Sequence, residues 1–266
     1  MNDDLSSFLS TLQGQIEPWR TLDRWLGKDG TPADWQKELS HEASKDGAFV
    51  FALCSRRSGK SVMTAALAVN ELILPKRTVI IVSPTLAQSM LLRRTIEDMM
   101  KATVDHHIEY DATQTELRMA NGSMLYAIPA GNSGDGIRGQ GIRDGTLVLE
   151  ECAYLNPEIW DAATPLVEER AKLICITTPT AKDPENRAYQ VWTDHDTYPD
   201  VHRIRANAYD QPHMKQKLAR AMTMMPKDKL EREYGTAWVA KEGFQLIDSE
   251  ILAAADTDRK GWTFEI

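Results

Sequence analysis

Two hydrophobic periods alternate along this chain. Short continuous apolar runs, Phe49 to Leu53, Val79 to Val82, Thr146 to Leu149 and Leu173 to Ile176, are separated by longer stretches with helical spacing. Val62, Ala65, Ala66, Val69 and Leu72 mark one such stretch, which Pro75 stops, and Leu86 to Ala102 marks another. Unbroken apolar runs of this length predict strands buried on both faces, and helices between them predict a parallel sheet. Each run ends in small polar or acidic residues: Ser55, Ser83-Pro84, Glu150-Glu151 and Thr177-Thr178-Pro179. A ligand crevice is therefore expected along the carboxyl edge of the sheet, with helices on both faces.

The flanking pattern adds less regular pieces. Leu5 to Leu26 reads as an amphipathic lead-in interrupted by Pro18, and a helix starting at Thr31 or Pro32 runs through Leu39 and ends near Gly47. Glu116–Ala120 and Ser123–Ile128 flank Asn121-Gly122, which predicts an antiparallel hairpin with a type I′ turn added to the sheet. Pro129 to Asp144 is a long glycine-rich loop holding Arg138 and Arg143, and long loops inside compact domains tend to be functional. A further strand is expected over Val201–Ala206, then helices over Pro212–Met225 and Pro226–Tyr234, with Met222, Met224 and Met225 packed between them. The expected division is a core over 1–208 with its helical lead-in, and a small helical lid or linker lobe over 209–266.

The strand Phe49–Leu53 leads into Cys54-Ser-Arg-Arg-Ser-Gly59-Lys60-Ser61 and then a helix. A phosphate loop needs backbone N–H groups around the phosphates, a lysine on the β/γ oxygens and a hydroxyl for Mg²⁺. Gly59, Lys60 and Ser61 satisfy the second half of that pattern, while Cys54 replaces its first glycine and Ser55, Arg56, Arg57 and Ser58 fill the loop. The strand before and the helix after supply the required context, because a helix N-terminus attracts phosphate.

A nucleoside triphosphatase also needs a metal-side acid, a group that orients or deprotonates water, and a cation for the developing charge. Glu150 is the candidate for the metal, through its water shell, and Glu151 for the water. The metal-side acid at such a strand end is usually aspartate, and Glu150 is a methylene longer. Asp144 is the fallback, but it precedes the strand and would lie at its other end.

Composition narrows the partners. With 42% hydrophobic and 26% charged residues and a net charge of −8, the 266-residue chain is no uniformly basic nucleic-acid binder, although a local basic patch is compatible with it. Cys54, Cys152 and Cys175 each lie beside an apolar run, which predicts reduced core thiols in place of disulfides or a zinc site. No apolar run approaches the ~20 residues of a membrane span, and the acidic Met1-Asn-Asp-Asp-Leu5 lacks the basic start of a signal peptide. A cytosolic protein without membrane partners is expected.

Taken in order, these motifs resemble the ATPase region of the large terminase subunit, the DNA-packaging motor of tailed double-stranded DNA bacteriophages. The likeness rests on Trp35-Gln36, on Ser55-Arg56 before Gly59-Lys60-Ser61, and on Ser83-Pro84-Thr85. It continues through Arg138-Gly139-Gln140-Gly141, Thr177-Thr178-Pro179, and Leu230 to Trp238 with Gly243-Phe244, and covers residues 30 to 250. The resemblance implies an α/β P-loop NTPase fold of the additional-strand, RecA-like class. ATP and Mg²⁺ would be the cofactors, Gln36 and Trp35 would lie on the adenine side, and Thr177 and Thr178 would couple hydrolysis to movement. Arg138 would reach a neighbouring subunit's nucleotide, unless Arg56 or Arg57 serves in cis; the sequence leaves both open. Implied partners are double-stranded DNA, the portal protein, the small terminase subunit and further copies in a ring, a pentamer, docked on the procapsid in the host cytoplasm. The family's large subunit usually continues into a nuclease, which is expected to be absent from this chain because no later run of strand-end aspartates follows. Rival readings are a helicase-like translocase, a nucleotide-binding assembly module that does not hydrolyse, and, more weakly, a metabolic kinase.

Overall fold

The structure, a computed structural model, describes residues 17–104, 109–131, 141–168, 170–211 and 214–240. Within them lie the strands β1 (Phe49–Cys54), β2 (Thr78–Ser83), β3 (Tyr110–Ala112), β4 (Glu116–Met119), β5 (Met124–Pro129), β6 (Gly145–Glu150), β7 (Lys172–Thr177) and β8 (His202–Ala206). They form one sheet in the order β3-β4-β5-β2-β6-β7-β1-β8. From β5 to β8 every neighbour is parallel, and β3 and β4 are antiparallel additions at one edge.

The continuous apolar runs follow from burial on both faces. In β1, Val50, Ala52 and Cys54 enter one core while Phe51 and Leu53 enter the other. The first core lies under α1 (Trp19–Leu26), α2 (Asp34–Glu42), α3 (Lys60–Leu72) and α4 (Leu86–Thr103), through Leu22, Leu39, Val69 and Ile96. The second lies under α5 (Pro157–Ala163) and α6 (Arg187–Thr193), through Trp160 and Val191. The short helices α7 (Lys215–Met224) and α8 (Lys227–Glu233) follow β8 and pack beside its end on a small cluster of Ala208, Met214 and Leu218. All three cysteines are free and buried, and burial pushes the Cys54 thiol up to about 12.

Several expectations need correction. The hairpin turn is not type I′: Gly122 alone has positive φ, +85°, and Gly122 N–H donates to Met119 O at 3.0 Å. This is a three-residue connection in which glycine takes the left-handed place. Asn121 is used differently, donating through Nδ2 to Leu72 O (2.9 Å) and Leu74 O (3.2 Å) at the end of α3. Met222 and Met224 are 54% and 76% exposed and are not core. Met214, Leu218 and Ala221 do the burying there. Helix α2 starts at Asp34, because Ala33 stays extended and its N–H is taken by Gln36 Oε1 at 2.8 Å. The edge strand β3 was not anticipated from its three residues. Of the lead-in, α1 begins directly after Pro18, and residues 1–16 lie outside the described residues.

Asn121→Ala should cost about 1–3 kcal/mol, since two carbonyls at the end of α3 lose their donor. Denaturant unfolding checks this, and an unchanged midpoint would show that water replaces the amide without loss.

Candidate active site

At the end of β1 the backbone turns through Ser55–Gly59 and enters α3. Cys54 is still a strand residue with its side chain in the core, so no glycine is needed at that position. The tight part comes later: Arg57 (φ +61°) and Gly59 (φ +94°) are left-handed. A Cβ at Gly59 would also stand 2.9 Å from Gln36 Nε2, so both φ and space demand glycine there. The loop is anchored by Ser55 N–H to Ala206 O (2.8 Å) and Arg56 N–H to Glu233 O (2.7 Å).

Lys60 is buried, 8% exposed, with Nζ 2.8 Å from Thr178 Oγ1, 3.4 Å from Glu151 Oε1 and 3.5 Å from Ser55 O. Ser61 Oγ donates to Glu150 Oε1 at 2.8 Å, and Ser83 Oγ donates to Glu150 Oε2 at 3.2 Å. Burial pushes the Glu150 carboxyl above its ordinary range, the Ser61 hydrogen bond opposes this, and the neighbouring Glu151 charge adds to it. Glu151 leaves the strand in a left-handed conformation, φ +49°. Its Oε2 accepts from Thr178 N–H at 3.1 Å and lies 3.4 Å from Thr177 Oγ1. Strand β7 makes these contacts possible, because it lies between β1 and β6.

Lys60, Glu151 and Thr178 line a cleft of about 380 Å³ together with Arg56, Thr85 and Glu233. Arg56 Nη1 is 3.0 Å from Glu233 Oε2. Ser58 is buried in the loop, and Arg57 is exposed and lines a different groove. Gln36 is buried and donates through Nε2 to Gly59 O at 3.4 Å, which places it against the loop. Trp35, also buried, lines a cleft of about 470 Å³ with Arg205, Asn207 and Gln211. Asp144 pairs with Arg77 at the opposite end of β6, 3.4 Å away, and Arg143 pairs with Glu168. Arg138, Gly139 and Gln140 lie outside the described residues, as do Gly243 and Phe244.

Ser83, read from the sequence as the polar end of its strand, reaches Glu150 because β2 lies beside β6. One site neighbour escaped the sequence reading. Glu233 carries no local signal, since 177 positions separate it from Arg56. No group of three or more His, Cys, Asp or Glu side chains able to hold a metal occurs among the described residues. A hydroxyl and one carboxylate suit Mg²⁺, which keeps several waters and is commonly held by few carboxylates together with substrate phosphates.

A loop on β1, an acid pair after β6 and the inserted β7 define the fold as an additional-strand, RecA-like P-loop NTPase. Residues 51–249 match the family described as terminase large subunit, T4likevirus-type, N-terminal, and the chain belongs to that family. Its fold is similar to the ATPase domain of the large terminase of Thermus phage P74-26 (TM-score 0.65, 20% identity, 79% of this chain and 95% of that one). It is also similar to the large terminase of a thermophilic bacteriophage in complex with ADP (0.61, 19%, 77% and 51%). The HK97 bacteriophage large terminase is similar too (0.59, 15%, 77% and 50%), so the match spans about half of the last two proteins. No curated protein matches the sequence.

A raised carboxyl contributes stability that is present below the ordinary carboxylate pKa and lost as pH rises through the folded value. Glu150→Gln cannot ionise, so without nucleotide and metal its stability relative to the parent should rise as pH climbs above the ordinary carboxylate range, and level off once the folded Glu150 has ionised. Thermal unfolding across pH checks this; a gap that narrows with rising pH would contradict the raised Glu150.

Proposed function

We propose that the chain hydrolyses ATP with Mg²⁺ and that this hydrolysis drives duplex DNA during viral genome packaging. The observation that carries the reading is the convergence of Lys60, Glu151 and Thr178 within 3.4 Å at the mouth of the loop. The loop N–H groups around Ser55–Gly59 would wrap the phosphates, and Lys60 would exchange Thr178 and Glu151 for the β/γ oxygens. Ser61 and Glu150 would hold Mg²⁺, which when bound neutralises charge on those oxygens. Glu151 would orient a water toward the γ-phosphorus and accept its proton as the bond to the bridging oxygen breaks.

Arg56 lines the same cleft as Lys60 and is the cation best placed to act in cis. Arg138 is the candidate for action on a neighbouring copy. Thr177 and Thr178, bonded to Glu151 on β7, would register the change at the γ-phosphate, and Gln36 with Trp35 would flank the base. Family membership supports the remaining partners: double-stranded DNA, a portal protein, a small terminase subunit and a homo-oligomeric, pentameric ring on the procapsid in the host cytoplasm.

Phosphate release from ATP, measured with and without linear duplex DNA and across protein concentration, tests this. Lys60→Ala should lose at least about 10²-fold in turnover. Loss of the catalytic arginine should cost about 10³-fold. Failure of Arg138→Ala with parental turnover that climbs with concentration places that arginine in trans; failure of Arg56→Ala alone places it in cis. A parent that releases no phosphate even as an assembled ring with DNA would overturn the enzymatic reading.

A further inference from the structure

Many cations of this acidic chain are paired, as in Lys101 with Glu97 and Arg187 with Asp161. Single ones unpaired among the described residues, such as Lys28, Lys76, Arg94 and Lys182, are scattered, but in one region several unpaired cations gather. From Gln211 to Lys227 the sequence has no Asp or Glu, although the chain holds 39 of them. Arg57, Lys215, Lys217, Arg220, Lys227 and Lys229 are all exposed, and among the described residues none has a carboxylate at ion-pair distance. Three of them meet at a groove of about 620 Å³ lined by Arg57, by Lys217, Arg220 and Met224 of α7, and by Tyr234. Lys215 extends the positive surface beyond it on α7, whereas on α8 Asp228, Glu231 and Glu233 offset Lys227, Lys229 and Arg232.

Unpaired cations brought together repel one another, and the arrangement is favourable only if a polyanion neutralises them. A single nucleotide would engage the groove and leave Lys215, further along α7, idle. The ten residues of α7 span about 15 Å, and a duplex carries one charge per about 1.7 Å of its axis. We propose that the α7 face, centred on Lys217 and Arg220 and continued by Arg57, is a docking surface for the phosphodiester backbone of duplex DNA. This rests on the packaging reading above and names the part of the chain that grips the cargo. A net charge of −8 disfavours DNA elsewhere on the surface, so the grip is local. Arg57 belongs to both the phosphate loop and the groove, which puts the grip one residue from Arg56 and directly beside the nucleotide site.

The test is the anisotropy of a labelled linear duplex with the full chain and no nucleotide, between about 50 and about 200 mM salt. Lys217→Gln with Arg220→Gln should weaken binding and reduce the steepness of log K against log salt by about 2, because each cation that neutralises a phosphate accounts for about 0.9 of the slope. Lys217→Glu with Arg220→Glu should weaken it further, while ATP affinity stays parental in both. A parental slope and affinity in the double variants, or a parent that binds no duplex at all, overturns the proposal. So does loss of self-association with the DNA slope intact, which would assign the face to an acidic surface of a second copy. Because no nucleotide enters the assay, a chain that grips DNA through this face but never hydrolyses ATP would fail the enzymatic reading alone.

Discussion

A lysine head buried in a loop must find partners there, and the rest of this site is arranged around that constraint. Lys60 is only 8% exposed, and Glu151 and Thr178 satisfy its ammonium. An isolated buried charge costs several kcal/mol, so removing a partner is far more damaging than the pair is stabilising. The chain meets the constraint by inserting β7 between the loop strand and the acidic strand. That one topological choice sets the Thr178 hydroxyl on Lys60 and the Thr177 hydroxyl and Thr178 N–H on Glu151, and the left-handed turn at Glu151 brings its carboxylate back to them.

The second carboxylate lives under the opposite condition. Glu150 faces two hydroxyls and, among the described residues, no cation within ion-pair distance, and burial drives it toward its neutral form. Two adjacent acids thus sit in different environments, one beside an ammonium and one among serines. A divalent cation would relieve the desolvation of Glu150, in the way that a phosphate would replace Glu151 on Lys60. In the proposed function both demands would be met together, by a nucleotide carrying its magnesium.

Much of this was legible in the sequence because burial on both faces leaves an unbroken apolar run, and β1, β2, β6 and β7 each show one. The polar residues that end those runs share one edge, which is why Lys60, Ser61, Glu150, Glu151, Thr177 and Thr178 could be grouped from their positions along the chain. What escaped depends on contacts distant in sequence. Asn-Gly fits several turns, and the choice here follows from Asn121 reaching the end of α3. Methionine spacing alone could not tell that Met214 would fill the place expected for Met222 and Met224. Glu233 meets Arg56 only because α8 folds back over the loop. Replacement of the first loop glycine by Cys54 looked like a defect in the motif, yet position 54 is still strand and the left-handed bend falls at Arg57 and Gly59.

The claim that Glu151 both holds Lys60 in the empty site and activates water makes one variant decisive. In Glu151→Gln the competing charge on Lys60 is gone, so ATP should bind at least as tightly as in the parent and be recovered intact after denaturation, while Lys60→Ala should bind poorly. Recovery of ADP from Glu151→Gln at the parental rate, or a loss of ATP affinity in that variant, would contradict the account.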